Sequence, residues 1–135
     1  MNVSNRPVLT FAKISAGFPN PAEDAGEIAL DLNEKIIKHP AATFFMRVSG
    51  SSMQDAHIID GDLVVVDRSL EPKHRDIIVA YIDGDFTLKR FIKNSKGMFL
   101  VPENTEYAAI QITEHSDFSV WGVVISVIRE VRSDV

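Results

Sequence analysis

The chain has 135 residues, 45% of them hydrophobic, with 14 Lys and Arg against 19 Asp and Glu for a formal net charge of −5. That length suits one compact domain with a short arm, and the acidic balance argues against a protein that grips nucleic acid by its phosphates, so little direct DNA binding is expected. The absence of cysteine excludes disulfides, thiol catalysis and thiolate-bound zinc. His39, His57, His74 and His115 show no close metal-ligand spacing, so neither metal nor cofactor is expected. No apolar run reaches the roughly 18–20 residues that span a bilayer, and the first residues lack the apolar centre of a secretory signal. The expectation is a cytoplasmic protein with no membrane contact.

Residues 1–24 read as a flexible arm: Pro7, Pro19, Pro21 and Gly17 interrupt them, and Phe18, ahead of a proline, is pushed toward extended geometry. Residues 25–135 read as the folded domain. A short helix is predicted from Asp31 to His39, with Asp31 and Glu34 as a capping box, Leu32 and Ile36 on one face, and Pro40 as the stop. Strands follow. Phe44–Val48 is the first, and Asp60-Gly61-Asp62 turns the chain into Leu63–Val66. Ile77–Ile82 meets Asp83-Gly84, a strong two-residue hairpin signal, and Phe86–Ile92 returns antiparallel to it. Met98–Val101 and Ala109–Ile112 come next. A long β-branched stretch runs from Val120 to Val131, with a bend or bulge expected at Gly122. The pattern predicts a mostly β fold: a partly closed, rolled antiparallel sheet resembling a barrel, with one short helix and an extended N-terminal arm.

Two segments invite chemistry. In Val48-Ser49-Gly50-Ser51-Ser52-Met53, Gly50 permits a tight turn just after a strand, which exposes a serine hydroxyl beside converging backbone N–H groups. In Phe86-Thr87-Leu88-Lys89-Arg90-Phe91, alternation puts Lys89 on one face with Thr87 and Phe91. A lysine among apolar residues loses hydration, which favours its neutral amine and makes it available as a base. On the residues alone, a plain polar turn and a surface or snorkelling lysine are the commoner readings.

The order and spacing of several segments resemble the LexA/UmuD family of self-cleaving serine peptidases. These are Ala16-Gly17-Phe18-Pro19, Ser49-Gly50-Ser51-Ser52-Met53, Asp60-Gly61-Asp62, Gly84-Asp85-Phe86-Thr87-Leu88-Lys89-Arg90 and Trp121-Gly122-Val123-Val124. The likeness extends from Ala16 to Arg132. It implies Ser52 as nucleophile, Lys89 as general base and Ala16–Gly17 as the scissile bond, with backbone N–H groups of Ser51 and Ser52 as the oxyanion hole. Ser51 stands where relatives often carry Asp or Met, leaving two adjacent hydroxyls. Arg90 stands where a second lysine is common. The resemblance further implies a homodimer, activation by RecA filaments on single-stranded DNA, and service to a UmuC-like, Y-family translesion DNA polymerase in the SOS response. A competing expectation from another class is a non-catalytic β-rich module that recruits a polymerase or repair protein.

Overall fold

Turn chemistry sets the ends of most strands in the computed structural model, which describes residues 6–10, 13–19, 21 and 26–132. The rest of the expected arm, residues 1–5, 11, 12, 20 and 22–24, lies outside the described residues. By contacts the chain separates into Met1–Lys38 and His39–Val135.

In the first unit, β1 (Val8–Thr10) pairs antiparallel with β2 (Glu27–Ala29). Helix α1 spans only Leu32–Ile36. Asp31 caps it as expected, accepting from the Asn33 N–H at 3.0 Å. The predicted end at His39 is corrected: Ile37 is already extended, and Pro40–Ala42 forms a separate 3₁₀ turn. A five-residue helix exposes most of its surface and has little packing to extend it.

The second unit is a seven-stranded antiparallel sheet. Its strands are β3 (Thr43–Arg47), β4 (Leu63–Asp67), β5 (Ile77–Ile82), β6 (Asp85–Asn94), β7 (Gly97–Val101), β8 (Ile110–Ile112) and β9 (Phe118–Ile128). Their spatial order is β3-β4-β9-β5-β6-β7-β8, so the sheet ends at β3 and β8 and does not close on itself. The mostly β, antiparallel expectation describes it. Asp83 and Gly84 both take positive φ, +49° and +90°, the geometry of a type I′ hairpin, and register β5 against β6 with Ile78 opposite Lys89. The long last strand slips register between Gly122 and Val120, which leaves Trp121 as the extra residue. Gly122 answers a close approach: a Cβ there would lie 2.5 Å from Val66 Cγ1.

Alternation along β5 splits the core. Val79 packs with Met53, Ile58, Val64 and Val66, while Ile78 and Ala80 pack with Phe91, Leu100 and Val123. Burying a side chain such as Met53 stabilises by about 1.5–3 kcal/mol. That burial fixes the turn just before it, where Ser52 sits at the rim of the core. No helix among the described residues is long and apolar enough to cross a membrane.

Candidate active site

The turn between β3 and β4 is pinned before it presents any hydroxyl. Gly50 takes φ +92°, a conformation open to glycine, and its N–H donates to Asp60 Oδ1 at 2.8 Å. Val48 and Gly61 close the base of the turn, the Val48 N–H donating to the Asp62 carbonyl and the Gly61 N–H to the Val48 carbonyl, each at 2.8 Å. Asp62 is buried, and Arg129 forks onto it with two bonds of 2.6 Å. The hydrogen bonds from the Arg129 guanidinium outweigh the cost of burial and hold the Asp62 carboxyl below its usual range. The Asp60-Gly61-Asp62 motif therefore supports the serine turn from below and ties it to the end of β9.

The two adjacent hydroxyls face different partners. Ser51 is exposed, and its Oγ lies 3.3 Å from the Tyr107 hydroxyl. Ser52 is half-buried, and its Oγ lies 3.2 Å from Lys89 Nζ. The amine also donates to Thr87 Oγ1 at 2.7 Å and to the Leu88 carbonyl at 3.1 Å. Lys89 is only 9% exposed, and none of the ion pairs among the described residues involves it. Burial pushes its pKa down from the ordinary lysine value. Arg90, one residue on, is committed elsewhere: it donates to Glu103 Oε1 and to the Arg75 carbonyl, both at 2.8 Å.

Beside Ser52 opens a cleft of about 230 Å³, lined in part by Met46, Val48, Val64, Val79, Phe86 and Leu88. Next to it, one edge of β6 is bare. β7 pairs only with Arg90–Asn94, so Asp85–Lys89 has no strand on that side among the described residues. Neither the Ser51 nor the Ser52 N–H donates to a protein group among the described residues. Two free N–H groups next to a hydroxyl can receive a developing oxyanion.

Of the residues singled out from sequence, Ser52 and Lys89 come together from positions 37 apart, with Ser51 adjoining. Ala16 and Gly17 belong to the first unit, where both are exposed and the Gly17 N–H donates to Ser15 Oγ at 3.2 Å. Sequence reasoning missed Asn104, which is buried and donates from Nδ2 to the Ser51 carbonyl at 2.8 Å. It ended a strand at Val101 and gave the residues just after it no role. It put Thr87 on the face of Lys89 without giving its hydroxyl a partner. Among the described residues, no three His, Asp or Glu side chains gather as a metal site.

Comparison with known proteins shows the family. The Peptidase S24-like family model matches residues 7–125. The chain belongs to that family, the serine peptidases of the LexA and UmuD type that cut themselves in the SOS response. Protein MucA of Salmonella typhimurium is 45% identical over 113 residues, covering 83% of this chain and 77% of MucA. Protein ImpA of Shigella flexneri is 43% identical over 121 residues, covering 89% of this chain and 81% of ImpA. The LexA repressor of Idiomarina loihiensis is 35% identical over 120 residues, covering 88% of this chain and 58% of that repressor. Within the family the chain is a UmuD-like member.

Proposed function

We propose that this protein cuts its own Ala16–Gly17 bond with Ser52 as nucleophile and Lys89 as base. Residues 1–24 serve as the arm that carries the site, and residues 25–135 as the peptidase domain. The observation that carries the reading is the 3.2 Å separation of Ser52 Oγ from the amine of Lys89, a residue only 9% exposed that has no ion-pair partner among the described residues.

The chemistry is acyl transfer. Neutral Lys89 Nζ takes the Ser52 hydroxyl proton while Oγ bonds to the Ala16 carbonyl carbon. The N–H groups of Ser51 and Ser52 receive the oxyanion. The intermediate collapses by breaking the bond to the Gly17 nitrogen, and Lys89 returns its proton to that leaving amine. Water, deprotonated in turn by Lys89, then frees the acyl group and restores Ser52. Thr87 and the Leu88 carbonyl hold the amine in place. The bare edge of β6 at Asp85–Lys89 offers backbone groups on which an extended arm adds as a strand. Ala16 puts only a methyl group beside the cut, and Gly17 tolerates the kinked approach.

A tethered substrate gives high effective molarity, so the seated arm must be a minor state that an activator populates. Its kinship with UmuD-like proteins supports RecA filaments on single-stranded DNA as that activator. It likewise supports a trimmed homodimer that serves a UmuC-like, Y-family translesion polymerase.

The test is the intact mass of purified protein held at increasing pH, with and without activated RecA filaments. Loss of the first sixteen residues should quicken as pH rises through the lowered Lys89 pKa and then level off. Ser52→Ala and Lys89→Ala should each stop it while leaving a folded domain. An unchanged mass under every condition would reject the peptidase reading in favour of a non-catalytic binding module.

A further inference from the structure

A buried asparagine shortly after β7 hydrogen-bonds the serine turn through one atom, and that atom has leverage. Asn104 is 5% exposed. Its Nδ2 donates to the Ser51 carbonyl at 2.8 Å, and its Oδ1 accepts from the Glu106 N–H at 3.0 Å. A carbonyl can only accept and an N–H can only donate, so these partners admit a single orientation of the amide. The same Ser51 carbonyl accepts a second bond, from the Gln54 N–H at 3.2 Å. The loop bearing Asn104 is itself tied to the turn by the Asp55 N–H, which donates to the Glu103 carbonyl at 2.7 Å.

The Ser51 carbonyl and the Ser52 N–H belong to one rigid, trans peptide plane and point in opposite directions. Whatever holds the carbonyl aims the N–H. We infer that Asn104 is a positioning residue for the cleavage reaction: by gripping the Ser51 carbonyl it aims the Ser52 N–H into the oxyanion hole. This rests on the Ser52–Lys89 reading proposed above. Asn104 does not touch the reacting atoms, and none of the hydrogen bonds of Lys89 involves it. Its effect falls on the stabilisation of the oxyanion and leaves the base untouched.

That separation gives the test. The full-length protein and two variants, Asn104→Leu of matched size and the smaller Asn104→Ser, are compared in pH profiles of self-cleavage followed by intact mass. Loss of an oxyanion donor slows such reactions about 10²–10³-fold, and a donor turned aside but still present should cost about 10- to 100-fold. The expected result is a plateau lowered by about that factor with the midpoint of the profile unmoved. In the ¹⁵N–¹H spectrum the Ser52 amide should shift, while amides of β5 and β9 stay in place. An unchanged plateau overturns the proposal. So does a fall in rate with a displaced midpoint, because Asn104 would then act through the Ser52–Lys89 pair. If neither variant folds, Asn104 serves the fold and the proposal is overturned as well. Ser52→Ala runs alongside. Continued cutting by that variant defeats the underlying Ser52 reading whatever Asn104 does, whereas an inert Ser52→Ala beside full-rate Asn104 variants defeats only the positioning role.

Discussion

Thr87→Val isolates what holds the buried amine. Thr87 Oγ1 lies 2.7 Å from Lys89 Nζ, closer than the Leu88 carbonyl at 3.1 Å or Ser52 Oγ at 3.2 Å. Valine keeps the shape and removes that acceptor. A hydrogen bond to a charged group is worth about 1.5–3 kcal/mol and one to a neutral group about 0.5–1.5, so the ammonium loses about 1 kcal/mol more than the amine does. That difference corresponds to about 0.7 pH unit. Its sign follows from the charge: the cation is disfavoured, the pKa falls further, and the midpoint of the cleavage profile moves to lower pH. The plateau should drop about tenfold, because the amine is no longer held toward Ser52. Well below the midpoint, the neutral fraction rises about fivefold and offsets most of that loss, leaving about a twofold deficit. The assay is a pH-jump series on full-length protein, with intact mass giving a first-order rate at each pH. A midpoint that rises, or a plateau that falls with no shift, would show that Thr87 does not bond the amine.

Other consequences follow from the same contacts. Burial makes the Lys89 cation costly, so the folded pKa sits below the unfolded one and stability rises with pH between the two. Lys89→Met should therefore raise Tm at neutral pH by roughly 2–4 °C, the shift of about 1 kcal/mol in a chain of this size, and scanning calorimetry would expose a fall instead. Gly122→Ala forces a Cβ to 2.5 Å from Val66 Cγ1. Val66 is fully buried and β-branched, so the overpacking should cost about 1–3 kcal/mol. A denaturation midpoint equal to that of the parent protein would contradict this. Asp62 has its pKa lowered by the Arg129 hydrogen bonds, so its contribution is complete above the unfolded value of 3.8 and is lost as pH falls through the folded value. Asp62→Asn should lower Tm at neutral pH and flatten its decline in acid. A parallel decline in both proteins would mean that the pair adds nothing.

The hairpins were legible because their chemistry is local. Asp83-Gly84 demands positive φ at both positions, and the pairing of Ile77–Ile82 with Asp85–Asn94 follows from it. Strand order was not legible. β9 lies between β4 and β5, a placement set by contacts across more than 35 residues that no local pattern encodes. Met53 was visible only as the residue after a serine, yet its burial anchors the turn. The closeness of Ser52 and Lys89 came from family resemblance, because two residues on separate hairpins carry no periodic signal. Asn104 was hidden for the same reason, as asparagine after a strand is ordinary turn chemistry. The helix was overextended because a capping residue marks where a helix starts and says little about its length.

The supports of the Ser52 turn are scattered along the chain: Asp60 ten residues on from Gly50, Lys89 thirty-seven from Ser52, Asn104 fifty-three from Ser51. On the proposed reading, the nucleophile leaves the ribosome during synthesis long before its base and its brace. A half-made chain thus holds a harmless serine, however close its own amino terminus drifts. Because β4 and β5 are joined only through β9, competence to cut would arrive only once that last strand is in place, and scission would report that the domain is finished.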